Sequence, residues 1–221
     1  MKYILTLLIT LITYNAYSMR VVTVGSGLTE IVYAIGAETN LVGNCVSSNY
    51  PDEAKELPKV GYQRMLPSEG IISLYPDVVF ITDETGPESV IKQLVNAGID
   101  VIRLHSGRSL NDIVSNVEKI SSYLNLNKEG QSLISTLKKD HQLLNKSISN
   151  LGEKPSVLFI LGHGGVARVA GKETAANSII EMSGADNVIK GFYGYKPVSP
   201  EQYVNFDPDF ILTTTFGVAI I

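Results

Sequence analysis

The chain has 221 residues and a formal net charge of −4, enough length for a single domain with a sizeable core or for two smaller lobes. Its 18 basic residues form no block against 22 acidic ones, so the electrostatic footprint of a nucleic-acid binder is missing. The lone cysteine, Cys45, excludes an internal disulfide.

Residues 1–18 read as a cleaved secretory signal: Lys2 gives a positive start, and an apolar run from Tyr3 to Thr13 is short for a membrane span. Ala16 and Ser18 supply the small residues of a cleavage site, so the mature chain is expected to begin near Met19. The alternative is a buried N-terminal strand or helix. Cys45 is too far from this segment to be a lipid-bearing first residue, and its expected role is that of a small apolar side chain.

RVVTVG (20–25) reads as a strand entering a Gly-Ser-Gly turn, followed by a helix with Leu28, Ile31, Val32 and Ile35 on one face. LVGNCV (41–46) is strand-like, and the polar stretch NYPDEAKELP follows it. The segment VGYQRMLPSEG (60–70) leads into a short helix over Glu69 to Leu74 that ends at Tyr75-Pro76. DVVFIT (77–82) is an apolar run of strand length, consistent with a parallel strand buried on both faces. SVIKQLVNAG reads as a helix closed by Gly98, and IDVIRL as the next strand. This alternation predicts an α/β lobe with a parallel sheet over residues 19–108.

Residues 109–152 break the rhythm. A helix starts at Ser109-Leu-Asn-Asp, and a second runs from about Lys128 to Leu151, with Leu133, Leu137, His141 and Leu144 in helical register. A helix of about 22 residues spans about 33 Å, the width of a lobe. The α/β pattern resumes with SVLFIL after Pro155, then a Gly-rich turn, the helix AANSIIEMSG and the strand DFILTT, giving a second lobe over 153–221. SEGIISLYPDVVFIT (68–82) and PEQYVNFDPDFILTT (200–214) share a pattern, each with Glu seven residues before Pro-Asp and an apolar strand ending in Thr. The expectation is two related α/β lobes bridged by one long helix, with a ligand cleft between them.

Enzyme signatures are weak. Gly25-x-Gly27 lacks the third glycine of a dinucleotide fingerprint, since Glu30 stands there, and no phosphate loop or nucleophile elbow is present. His105, His141 and His163 show no zinc-site spacing. Tyr62 and Arg64 offer a different chemistry. A phenol titrates near ~10, and a guanidinium beside it favours the phenolate. Phenolate suits ferric iron and is a known heme ligand. In an extended segment, residues two apart point the same way, so Arg64 is in reach of the Tyr62 oxygen. An aromatic packed beside a solvated arginine remains the plainer alternative. In LGHGGVARVAGKETAAN (161–177), His163 follows a strand among glycines, as an iron ligand or as a turn residue bonded to its own loop.

RVVTVGSGLTEIVYAIGAE, VGYQRMLPSEGIISLYPDVVF, LGHGGVARVAGKETAAN and the GFYGYKPVSPE segment from residue 191 resemble the periplasmic heme-binding proteins of bacterial ABC heme importers. The resemblance covers nearly all of residues 20–217 and extends more loosely to cobalamin- and siderophore-binding proteins. It implies a periplasmic, monomeric carrier, not an enzyme, that holds heme between two lobes and hands it to an inner-membrane permease. By position, Tyr62 matches the axial ligand and Arg64 the residue that stabilises its phenolate. His163 matches a further ligand used by some members, including for a second heme. Glu69 and Glu201 match the acidic residues that dock on the permease; their plainer reading is favourable charge at a helix N-terminus. The family continues with further strand and helix past Gly217, so the second lobe is expected to be incomplete. A cobalamin or iron-siderophore carrier, or a secreted α/β enzyme, are the competing readings.

Overall fold

The computed structural model describes residues 18–149, 152–163, 166–199, 202 and 205–214. The segment expected to be a cleaved signal, apart from Ser18, lies outside the described residues, as does Glu201.

The first sheet is built from β1 (Val21–Val24), β2 (Leu41–Asn44), β3 (Val78–Thr82) and β4 (Asp100–Leu104). The strands run parallel in the order β2-β1-β3-β4. Every residue of β1 and β3 is buried, because both faces of the sheet are covered by helices. Alternation along the strands divides the apolar side chains between two cores. Val21, Val78 and Phe80 pack with α1 (Ser26–Ala34), α4 (Leu110–Tyr123) and α5 (Asn127–Ile148). Val22, Val24, Val79 and Ile81 pack on the other face with α2 (Ser68–Ile72) and α3 (Glu88–Asn96). Phe80 is wholly buried, which contributes about 2–3 kcal/mol. Cys45 is also fully buried, with its sulfur against the hydroxyls of Ser47 (3.1 Å) and Ser48 (3.2 Å).

Helix α4 starts where its polar residues cap it. The Asp112 N–H donates to Ser109 Oγ and the Ser109 N–H to Asp112 Oδ2, both at 3.1 Å. Helix α5 has 22 residues, as its uninterrupted periodicity predicts. Ile134 is its buried apolar anchor in the first core, with Leu133 and Leu137 partly buried beside it; Leu144 is exposed. At its far end, Ile148 packs on the turn after α6 (Ala175–Met182), where a Cβ on Gly184 would fall 2.3 Å from Ile148 Cγ2. One helix therefore packs on the core of the first sheet and on the turn after α6 in the second lobe.

The second sheet contains β5 (Ser156–His163), β6 (Val166–Ala170), β7 (Asp186–Asn187), β8 (Tyr195–Pro197) and β9 (Phe210–Thr213). β5 pairs in parallel with β7 and β9, and antiparallel with β6, which pairs antiparallel with β8. Val157 pairs with both β7 and β9, and Ile160 with both β6 and β9. β9 therefore holds one edge of β5, while β7 and β6 share the other at opposite ends. The α/β architecture is as expected, but this sheet is mixed where an all-parallel one was predicted. Only two residues separate β5 from β6, and strands joined by so short a connection pair antiparallel.

Candidate functional site

Loops at the C-terminal ends of β1, β3 and β4 face β5, β6 and the segment before α6 across a cleft of about 1210 Å³. Leu28, Ile31, Leu133, Leu137 and Leu161 supply apolar lining, so α1, the bridging helix α5 and the second sheet all contribute.

Tyr62 and Arg64 both line this cleft. Their loop is fixed from both sides. Val46 N–H donates to the Gly61 carbonyl at 3.1 Å, and Gly86 N–H donates to the Gln63 carbonyl at 2.9 Å. Gly61 adopts φ +112°, and a Cβ there would fall 2.6 Å from Pro67 Cδ, so no other residue fits without moving the loop. The extended geometry expected for Tyr62 to Arg64 is not what forms. Met65 N–H donates to the Tyr62 carbonyl at 3.0 Å and closes Gln63-Arg64 into a tight turn. Arg64 reaches the phenol all the same, with Nη1 donating to the Tyr62 oxygen at 3.4 Å. Tyr62 is 43% exposed where it lines the cleft.

Arg64 has a stronger partner that sequence reasoning missed. Its Nη2 pairs with Glu84, and the other carboxylate oxygen of Glu84 takes Arg108 Nη2 at 2.5 Å. Burial works to raise the Glu84 carboxyl, but hydrogen bonds from Arg108 and Arg64 and their positive charge outweigh it and hold the group below the usual carboxylate range. The hydrogen bond to Glu84 likewise raises Arg64 and Arg108. Glu84 and Arg108 stand on the loops that leave β3 and β4. The available signal was their position: polar residues just past the C-terminal ends of parallel strands.

His105, just past the end of β4, lines the cleft and is exposed. Asn116, 2% exposed on α4, braces its backbone: His105 N–H donates to Asn116 Oδ1, and Asn116 Nδ2 to the His105 carbonyl, both at 2.9 Å. On the second sheet, Arg168 lines the cleft from β6. The backbone of His163 ends β5, paired with Val166; its side chain lies outside the described residues. Glu69 is exposed in the first turn of α2, away from the cleft lining. Among the described residues, no cluster of three His, Cys, Asp or Glu side chains forms a metal cage.

Residues 21–216 match the family model described as periplasmic binding protein. In fold, the chain is similar to the periplasmic heme-binding protein BhuT in complex with two hemes, with a TM-score of 0.85, 34% identity, and coverage of 91% of this chain and 79% of that one. Among curated proteins it is 30% identical to the uncharacterized ABC transporter substrate-binding lipoprotein YvrC of Bacillus subtilis, over 92% of this chain and 66% of that protein. It is 27% identical to the vitamin B12-binding protein of Vibrio campbellii, over 93% of this chain and 74% of that one. The chain thus spans about two thirds of the first curated relative and about three quarters of the second. All are named as binding proteins, in line with a carrier rather than an enzyme. With residues 21–216 of its 221 matched, this chain belongs to the periplasmic binding protein family.

Proposed function

We propose that the chain is the periplasmic carrier of an ABC importer that captures heme in the cleft and delivers it to an inner-membrane permease. The observation that carries this reading is the Tyr62 phenol on the cleft wall with a guanidinium on its oxygen. That pair offers ferric iron a phenol oxygen with a cation beside it, while the apolar lining suits a porphyrin face. The likeness to a heme-bound neighbour at 34% identity points the same way. His163 is the second candidate iron ligand. The N-terminal export segment, together with the family, supports a location outside the cytoplasm. Glu69 and Glu201 are the proposed permease contacts.

Cobalamin is the second reading, favoured by the vitamin B12-binding relative. It makes no use of Tyr62, and this separates the two. Titration with hemin is expected to give a Soret shift and a high-spin ferric charge-transfer band. Both diminish in Tyr62→Phe, with affinity falling roughly tenfold or more. Tight binding of cyanocobalamin without a hemin response overturns the heme reading.

A further inference from the structure

Two guanidiniums in the cleft share one carboxylate. Arg64 comes from the loop after β2, Arg108 from the loop after β4, and Glu84 bridges them from the loop after β3. The Glu84 side chain is 24% exposed, against 55% for Arg64 and 36% for Arg108, so the acid is the inner member of the three. Arg64 divides its bonds unequally, with close pairing to Glu84 and a contact of 3.4 Å to the Tyr62 oxygen. An arginine whose sole task is to hold a phenolate gains nothing from a carboxylate on its other nitrogen. The acid offsets the positive field at the phenol.

We propose that Glu84 sets the charge of the ligand site: it takes up one of two guanidinium charges and so limits how tightly Tyr62 and an anionic ligand are held. This role rests on the heme reading, in which ferric iron sits on the Tyr62 oxygen and the porphyrin brings carboxylates. Two cations against one anion leave the trio at +1, enough to attract such a ligand without trapping it. A carrier has to release its cargo, and an uncompensated pair of arginines opposes release.

The other charged or titratable groups near the trio do not replace Glu84. Asp83 and Glu173 act on Arg108 through space, in the same sense as Glu84. Asp83 is engaged by the Ser106 hydroxyl, and Glu173 approaches from the far side of the cleft. Among the described residues neither is hydrogen-bonded to a guanidinium, and His105 on the adjoining loop makes no bond to the trio. Among the described residues Glu84 alone pairs with both arginines, so its charge has the largest effect on the site.

The test is release of hemin as pH falls, followed by the Soret and charge-transfer bands, in the full chain and its variants. Glu84→Gln keeps the shape and removes the charge. It is expected to lower the pH of half-release by roughly half a unit or more. Arg108→Gln leaves Glu84 to neutralise Arg64 alone and is expected to move the midpoint up by a similar amount. Glu84→Asp, which keeps the charge, stays near the parent. A parent with no hemin response overturns the heme reading and this role together. If the parent binds hemin but Glu84→Gln releases it at the same or a higher pH, the role of Glu84 alone is overturned. A purely structural brace gives that second outcome, because losing it weakens the grip.

Discussion

Asp77 and Asp209 make the same contact in the two sheets. Asp77 Oδ2 accepts the backbone N–H of Arg20 just before β1, and Asp209 Oδ2 accepts that of Ser156 at the start of β5, each at 2.7 Å. In both cases the aspartate follows a proline and precedes the strand that pairs in parallel with the one it anchors, β3 on β1 and β9 on β5. The echo seen in the sequence is therefore a structural repeat, with a carboxylate locking the register of each central strand pair.

These anchors predict a loss of stability with a defined acid limit. Hydrogen bonds from the Ser156 backbone and hydroxyl hold the Asp209 carboxyl below its ordinary value of 3.8. Its contribution is full above that ordinary value and disappears as pH falls through the lower folded-state value. Asp209→Ala is expected to melt below the parent at neutral pH and to converge on it in strong acid. Asp77→Ala, at the less exposed anchor, is expected to cost about 1–2 kcal/mol at neutral pH. Thermal melts from neutral pH downwards check both, and a constant gap for Asp209→Ala rules out the titrating carboxylate.

Gly61 should be as important to the site as Tyr62 itself. At φ +112°, with Pro67 Cδ 2.6 Å from any added Cβ, Gly61→Ala forces the loop to shift at about 1–3 kcal/mol. The shift displaces the tyrosine next in sequence, so hemin affinity is expected to fall along with the melting temperature. Gly70→Ala is the control, because its Cβ meets nothing closer than 3.8 Å. Equal hemin affinity in Gly61→Ala and the control removes the claimed link between loop geometry and binding.

Much of this arrangement is legible in the sequence because it depends on local pattern. The apolar run after Asp77 forms β3, the Ser-x-x-Asp start of α4 forms its capping box, and helical spacing gives α5 its 22 residues. What escapes is non-local. β6 pairs with β8 across more than twenty intervening residues, and VARVA is too short to declare its partner. Glu84 and Arg108 lie 24 residues apart and meet only because β3 and β4 are neighbours in register, Thr82 against Leu104. The Tyr62–Arg64 contact was expected for the wrong backbone geometry, since a bridge from Tyr62 to Met65 leaves no trace in residue type.

Tyr123 offers an alkaline counterpart to the acid test. Burial, then the hydrogen bond to Asp100 and its negative charge, push the phenol up to about 12. Its ring also meets Phe80 edge-on, at 5.7 Å and 84°. A raised value favours the neutral phenol in the fold. The contribution is therefore intact below the ordinary value of 10.0 and is lost as pH climbs through the folded-state value. Tyr123→Phe keeps the ring contact and deletes the hydroxyl, at an expected cost of about 1 kcal/mol at neutral pH. Denaturant melts between neutral pH and strong alkali should show the parent losing that advantage while the variant does not. Parallel curves assign the destabilisation to packing instead.

The repeat also sharpens the docking proposal. Glu69 precedes Asp77 by eight residues, and Glu201 stands at the same distance before Asp209. If Asp77 and Asp209 are equivalent by contact, the two glutamates are equivalent by position. Glu69 is exposed and lies off the cleft, so it is free to meet a basic partner without disturbing ligand. Charge pairs at such an interface govern association more than fold, and reversing both inserts like charges where attraction is needed. Glu69→Lys combined with Glu201→Lys is therefore expected to leave hemin binding unchanged and to slow hemin uptake by the importer in vesicles roughly tenfold or more. Each single reversal should give an intermediate rate, because one lobe still docks. Uptake at the parent's rate with both reversed excludes these residues as the contact, whatever the ligand proves to be.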